Sequence, residues 1–106
     1  MELLLTADMV DAERALATGL INRVVSADQL METAYDYAER IAANAPLAVS
    51  ATKQSAVEGL ALDLESAYAN ETRHSDRIFM TEDAKEGPRA FAEKRPPKWQ
   101  ARSLPS

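Results

Sequence analysis

Helix starts and stops recur along this sequence at short intervals, and that punctuation limits the fold more than any other feature. Asp11 can accept a bond from a free backbone N–H and so cap a helix over about Ala12 to Thr18. Gly19 can take the left-handed conformation that stops it, with Leu20 folding back over Ala15. Ser26-Ala27-Asp28-Gln29 reads as a capping box, with Ser26 the cap, Gln29 reaching back, and Val25 and Leu30 spaced as a hydrophobic staple. Asn44 and Pro46 close the helix that follows, and Pro46 also suits the first turn of the next, which stops at Gly59. A long helix starts near Asp63, and Thr81 can cap a short one. Gly87-Pro88 predicts a break, because proline lacks an N–H donor and disfavours a helical residue before it. Pro96-Pro97 forces an extended end.

Between these marks the apolar residues follow a helical period. Leu30, Ala34, Tyr37, Ala38 and Ile41 trace one face, opposite Glu32, Asp36, Glu39 and Arg40. The helix after Pro46 is mostly alanine with Val49 and Val57, so it can pack closely against a neighbour. Leu64, Tyr68, Ile78 and Phe79 form a stripe interrupted by Glu71 and Ser75, a pattern that arises where a face meets solvent or another subunit. Leu3, Leu4 and Leu5 read as the end of an apolar helix too short to nucleate by itself. Ile21, Val24 and Val25 read as a short extended link. Trp99, the single tryptophan, is expected to dock in a surface groove. The expectation is an all-α domain: a helix end, a short helix and an extended link over residues 1–25, helices over 26–95, and an extended tail over 96–106.

With no cysteine, disulfides, thiolate metal sites and a cysteine nucleophile are excluded, and a single histidine excludes a multi-histidine zinc site within one chain. No metal is expected. No apolar run reaches the ~20 residues needed to span a bilayer, and the start lacks a signal-peptide pattern, so a cytoplasmic protein without membrane partners is the simplest reading. Residues 1–83 hold six Lys/Arg against fifteen Asp/Glu, a balance of −9 that repels nucleic acid. Residues 84–106 hold six Lys/Arg against two Glu, a balance of +4 that can hold one phosphate-bearing ligand.

Three further groups of residues have the chemistry of candidate sites. Glu82, Asp83 and Glu86 suggest a metal or acid/base cluster, but acids in a first helical turn complement the helix dipole, and that reading is preferred. His74 has the right chemistry for a general base, yet no orienting acid lies at a useful spacing, so it is expected at a surface or interface. Thr52-Lys53 resembles part of a phosphate motif without its glycine-rich loop, and Lys53 is expected to be solvated.

Three stretches together resemble the C-terminal portion of the crotonase (enoyl-CoA hydratase/isomerase) family. The first is Glu2-Leu3-Leu4-Leu5-Thr6-Ala7 with Asp11-Ala12-Glu13-Arg14-Ala15 and Gly19-Leu20-Ile21-Asn22-Arg23-Val24-Val25. The second is Ala45-Pro46-Leu47-Ala48 with Ala51-Thr52-Lys53. The third is Glu82-Asp83-Ala84-Lys85-Glu86-Gly87 with Ala90-Phe91-Ala92-Glu93-Lys94-Arg95-Pro96-Pro97. The resemblance implies a helical trimerisation segment of an acyl-CoA enzyme, assembled as a trimer or hexamer, with coenzyme A as part of the substrate and no separate cofactor. It implies that the oxyanion-hole amides and the pair of catalytic glutamates belong to the preceding ββα spiral, so this segment carries no catalytic residue. It also implies that Phe91 and Lys94 lie near the adenosine and phosphate end of coenzyme A. Their alternative reading is a core phenylalanine and a helix-capping lysine. A stand-alone helical oligomerisation or partner-binding module is the other functional class to be distinguished.

Overall fold

The structure, a computed structural model, describes residues 1–101; the remainder of the expected tail, residues 102–106, lies outside the described residues. Among the described residues there are α-helices and one 3-10 turn, with no strand. Two compact units divide between Tyr37 and Ala38.

In the first unit, α1 (Glu2–Thr6) ends at Ala7, whose φ of 56° lets its N–H return to Leu3 O at 3.2 Å. The helix α2 (Ala12–Ala17) begins where Asp11 Oδ1 accepts from Arg14 N at 2.8 Å. It ends at Gly19, φ 74°. The Gly19 and Leu20 amides then donate to Leu16 O (3.0 Å) and Ala15 O (2.9 Å), the paired bonds of a helix stop built on a left-handed residue. Ala15 is buried beneath this return, whereas Leu4, Leu5 and Met9 are exposed. The Arg23 guanidinium lies 5.8 Å from the centre of the Tyr37 ring, within range of a cation–π contact.

The capping box does not form as the spacing predicts. Ser26 Oγ bonds the Gln29 side chain (3.0 Å), and Gln29 N donates to Ser26 O (3.0 Å), closing a 3-10 turn over Ala27–Gln29. The backbone carbonyl has taken the amide that the serine hydroxyl would have capped. The helix α3 (Leu30–Ala42) follows directly, and Asn44 Nδ2 closes its end by donating to Arg40 O at 2.7 Å.

In the second unit, α4 (Pro46–Gly59) starts with Pro46 in its first turn and packs against α5 (Leu64–Phe79). The alanine content of α4 allows the close approach. A Cβ added at Gly59 would lie 3.8 Å from the Ala67 side chain, ordinary contact distance. Asp63 caps α5 by accepting from Ser66 N (3.0 Å) and from Ser66 Oγ (2.8 Å), and these bonds hold its carboxyl below the usual carboxylate range.

The helix α6 (Glu82–Ala92) corrects the sequence reading at Gly87-Pro88, because it runs through both residues without a break. Pro88 still lacks the donor that would reach Ala84 O. Glycine at position 87 removes the contact between the proline ring and a preceding Cβ, while the ring still crowds the Ala84 carbonyl. The space left by that missing side chain is used: a Cβ on Gly87 would meet the Trp99 ring at 3.5 Å. Trp99 is half-buried and donates its indole N–H to Ala43 O at 2.8 Å, so the tail lies across α6 and reaches the end of α3.

Candidate functional site

The α4–α5 pair forms an open groove of about 500 Å³ whose wall includes Ala48, Ser55, Tyr68, His74 and Phe79. At its side His74 Nε2 meets Glu58 Oε2 at 2.8 Å, and the imidazole is nearly buried. This corrects the expectation of a histidine without an acid. Glu58 precedes His74 by sixteen positions and belongs to a different helix, so no spacing rule within one helix brings them together. The His74 bond, followed by Gln54 Nε2 on Oε1 (2.8 Å), lowers the Glu58 carboxyl to about 2.

The dyad does not constitute a nucleophilic site. Ser75 lies beside His74 in sequence but gives its hydroxyl proton to Thr72 O at 3.0 Å, within its own helix. Among the described residues no group of three or more His, Asp or Glu is arranged to hold a metal ion. Lys53 is exposed, as its isolation from any glycine-rich loop implied.

The acids at the start of α6 divide by role. Glu82 pairs with Lys85 on the surface at 2.8 Å. Asp83 is 5% exposed and accepts from Gln100 N (2.7 Å) and Ala101 N (3.1 Å). Glu86 accepts the forked guanidinium of Arg95 at 2.6 and 3.1 Å, and Lys98 N at 2.8 Å. The Arg95 contact, followed by the Lys98 amide, lowers the Glu86 carboxyl to about 2, while Glu86 and then Glu93 raise Arg95 above its ordinary value. The helix-dipole reading of this cluster is therefore incomplete: two of the three acids grip the tail. A partial signal was present in the i,i+3 spacing of Asp83 and Glu86 facing a proline-stiffened, basic continuation.

Phe91 and Lys94 lie at the far end of the same helix. Phe91 is 87% exposed in this chain. Lys94 follows the last turn with φ 52°, and its backbone N–H donates to Phe91 O at 3.2 Å. Its side chain is exposed, and no ion pair among the described residues engages it. The end of α6 thus carries an exposed aromatic ring and, three positions on, an exposed lysine.

The sequence matches the family described as enoyl-CoA hydratase/isomerase over residues 1–102. The chain belongs to that family. Its similarity lies with the C-terminal segment of crotonase-family proteins. Carnitinyl-CoA dehydratase from Proteus mirabilis is 43% identical over 105 residues, covering 95% of this chain and 40% of the relative. Short-chain-enoyl-CoA hydratase from Clostridium acetobutylicum is 42% identical over 94 residues, covering 89% of this chain and 36% of the relative. Among solved structures, enoyl-CoA hydratase from Mycobacterium tuberculosis superposes with a TM-score of 0.88 at 40% identity, covering 96% of this chain and 40% of that one. Enoyl-CoA hydratase from Bacillus anthracis gives 0.90 at 35% identity, covering 95% and 39%. The chain spans about 40% of the length of the crotonase relatives it matches. No described helix is long and apolar enough to cross a membrane.

Proposed function

We propose that this chain serves as the C-terminal oligomerisation segment of a longer acyl-CoA enzyme and completes its coenzyme A site without supplying a catalytic group. The observation that carries this reading is the family match over residues 1–102 by a chain about 40% as long as its relatives. The reaction served is reversible addition of water to a trans-2-enoyl-CoA, of the type used in fatty-acid β-oxidation. The relatives' own names, a dehydratase and a hydratase of CoA esters, support water addition or removal. Hydration needs a carboxylate to activate water and fixed donors for the thioester oxygen. In this chain the buried carboxylate of Asp83 and the paired carboxylates of Glu58 and Glu86 are committed to structural partners. The family resemblance implies that the catalytic glutamates and oxyanion donors lie outside the segment.

Phe91 packs against the adenine and Lys94 contacts the ribose 3′-phosphate. The exposure of both, three positions apart at the end of α6, supports the assignment. Assembly is as a trimer or a hexamer in the cytoplasm. The exposed Leu60, Leu64, Phe79 and Met80 support burial against further protein. The same apolar residues favour a second reading, a stand-alone oligomerisation or partner-binding module with no enzymatic role.

The test is Lys94→Ala in the intact enzyme. A contact at the nucleotide end is present in ground state and transition state alike, so its loss raises KM with kcat little changed. A charge-assisted bond to phosphate contributes roughly 1.5–3 kcal/mol before solvent exposure reduces it. The normal thioester is affected and the dephospho-CoA thioester is spared. Equal losses for both substrates remove the phosphate assignment. A fall in kcat alone gives Lys94 a structural role.

A further inference from the structure

The same pair of helix-stop bonds occurs twice in this chain, with a different residue at the left-handed position each time. At the end of α2 the left-handed position is Gly19, φ 74°. At the end of α6 it is Lys94, φ 52°, with Lys94 N on Phe91 O (3.2 Å) and Arg95 N on Ala90 O (3.0 Å). Glycine adopts this conformation without steric cost, whereas a lysine Cβ is crowded there. Ala7 takes φ 56° at a stop closed by its own N–H on Leu3 O, whereas at Lys94 the chain that follows is also bonded back to the helix.

Those bonds are specific. Arg95, the next residue, forks onto both oxygens of Glu86 one helical stretch back. Glu86 also accepts Lys98 N, so the chain on the far side of Lys94 is tied to α6 through one carboxylate. Asp83 and the Trp99 indole secure the rest of the tail. If residue 94 were only a stop, glycine would serve it better. The ammonium is what glycine lacks.

We propose that Glu86, acting through Arg95, is a positioning residue that holds Lys94 in the left-handed conformation and thereby fixes the ammonium for the nucleotide contact. This rests on the assignment of Lys94 to the coenzyme A phosphate. Glu86 touches no part of the ligand. Its effect runs through the backbone between Arg95 and Lys94.

Three variants test it, in the 106-residue chain and in the intact enzyme. Glu86→Gln speeds amide exchange at Arg95 and Lys98 in the chain. In the enzyme it raises KM for the CoA thioester roughly three- to tenfold, the range of a weakened charge-assisted contact, with kcat little changed. In a Lys94→Ala background Glu86→Gln adds no further rise in KM, because there is no ammonium left to position. Lys94→Gly raises the Tm of the chain by relieving the crowded Cβ, yet raises KM as Lys94→Ala does. That opposition between stability and binding is what a purely structural lysine would not produce. An equal KM effect of Glu86→Gln with and without Lys94 would overturn the proposal, as would a lowered Tm for Lys94→Gly. If Lys94→Ala leaves KM unchanged, the nucleotide assignment has failed, and the positioning role fails with it. If Lys94→Ala raises KM but Glu86→Gln does not, the assignment stands and the positioning role alone is lost.

Discussion

Residues 1–37 and residues 38–101 are built from the same local devices but are held together differently. Both use an aspartate cap, at Asp11 and at Asp63, and both use a left-handed helix stop, at Gly19 and at Lys94. The described hydrogen bonds of the first unit close over a few residues, and Ala15 is the residue buried within it. In the second unit bonds span sixteen residues between Glu58 and His74 and fifty-six between Ala43 and Trp99. Local bonds fix a helix end but stabilise little more than one turn. Long-range bonds close large loops and make distant segments unfold together. The comparison teaches that helix-forming sequence and a cooperative fold are separate properties, and the bonding pattern predicts cooperative unfolding for the second unit.

The largest effect expected from this difference appears when the chain is divided just before α3, which keeps that helix in one piece. A peptide of residues 1–29 should show little helix by circular dichroism, since its helices of five and six residues are far below the length at which isolated helices persist. Residues 30–106 should keep a sigmoidal thermal transition seen by Trp99 fluorescence. A broad, featureless melt of that second piece would show that the long-range bonds do not create cooperativity.

Acid sharpens the comparison with a smaller effect. Glu58 and Glu86 each fall from an ordinary 4.5 to about 2 in the folded chain. A depressed folded value means that the unfolded chain takes up protons first, so these groups contribute stability above about 4.5 and lose it as pH falls toward about 2. The Trp99 transition should therefore be insensitive to these two groups above pH 5 and weaken progressively below it. Glu86→Gln should lower stability at neutral pH and flatten part of the acid slope. An unchanged slope in that variant would show that the Arg95 fork does not couple to folding.

Legibility from sequence follows the same division. Asp11, Gly19, Pro46, Asp63 and Thr81 were all readable, because a cap or a stop is decided by residues within one turn of itself. Two local readings failed where a competing local bond or a distant residue intervened. Ser26 lost its capping role to its own backbone carbonyl. Gly87-Pro88 stays helical, with glycine sparing the contact between the proline ring and a preceding Cβ and Trp99 packed where that Cβ would lie. The partners of His74, Asp83 and Glu86 were not readable, since each is reached through space and not along the helix. Phe91 and Lys94 came from family resemblance, and their exposure at one helix end is consistent with that origin without deriving it.

The smallest effect is also the most direct comparison, because the same substitution is made in both units. Asp63→Ala removes the cap of α5, whose carboxylate receives both the amide and the hydroxyl of Ser66. Losing such a cap destabilises the helix start. Because α5 packs on α4, that cost should register as a lower Tm for the Trp99 transition. Asp11→Ala removes the equivalent bond to Arg14 N, at 2.8 Å a shorter one. By bond geometry alone it should cost as much. In the first unit, however, α2 has six residues and buries Ala15 alone, so the lost bond should reduce local helix content without moving the cooperative transition. Amide exchange at Arg14 and Ala15 should quicken, while exchange at Glu58 and His74 stays as before. Equal Tm shifts for Asp11→Ala and Asp63→Ala would show that the first unit unfolds with the second, and the distinction between locally and distantly bonded regions would then have no thermodynamic content.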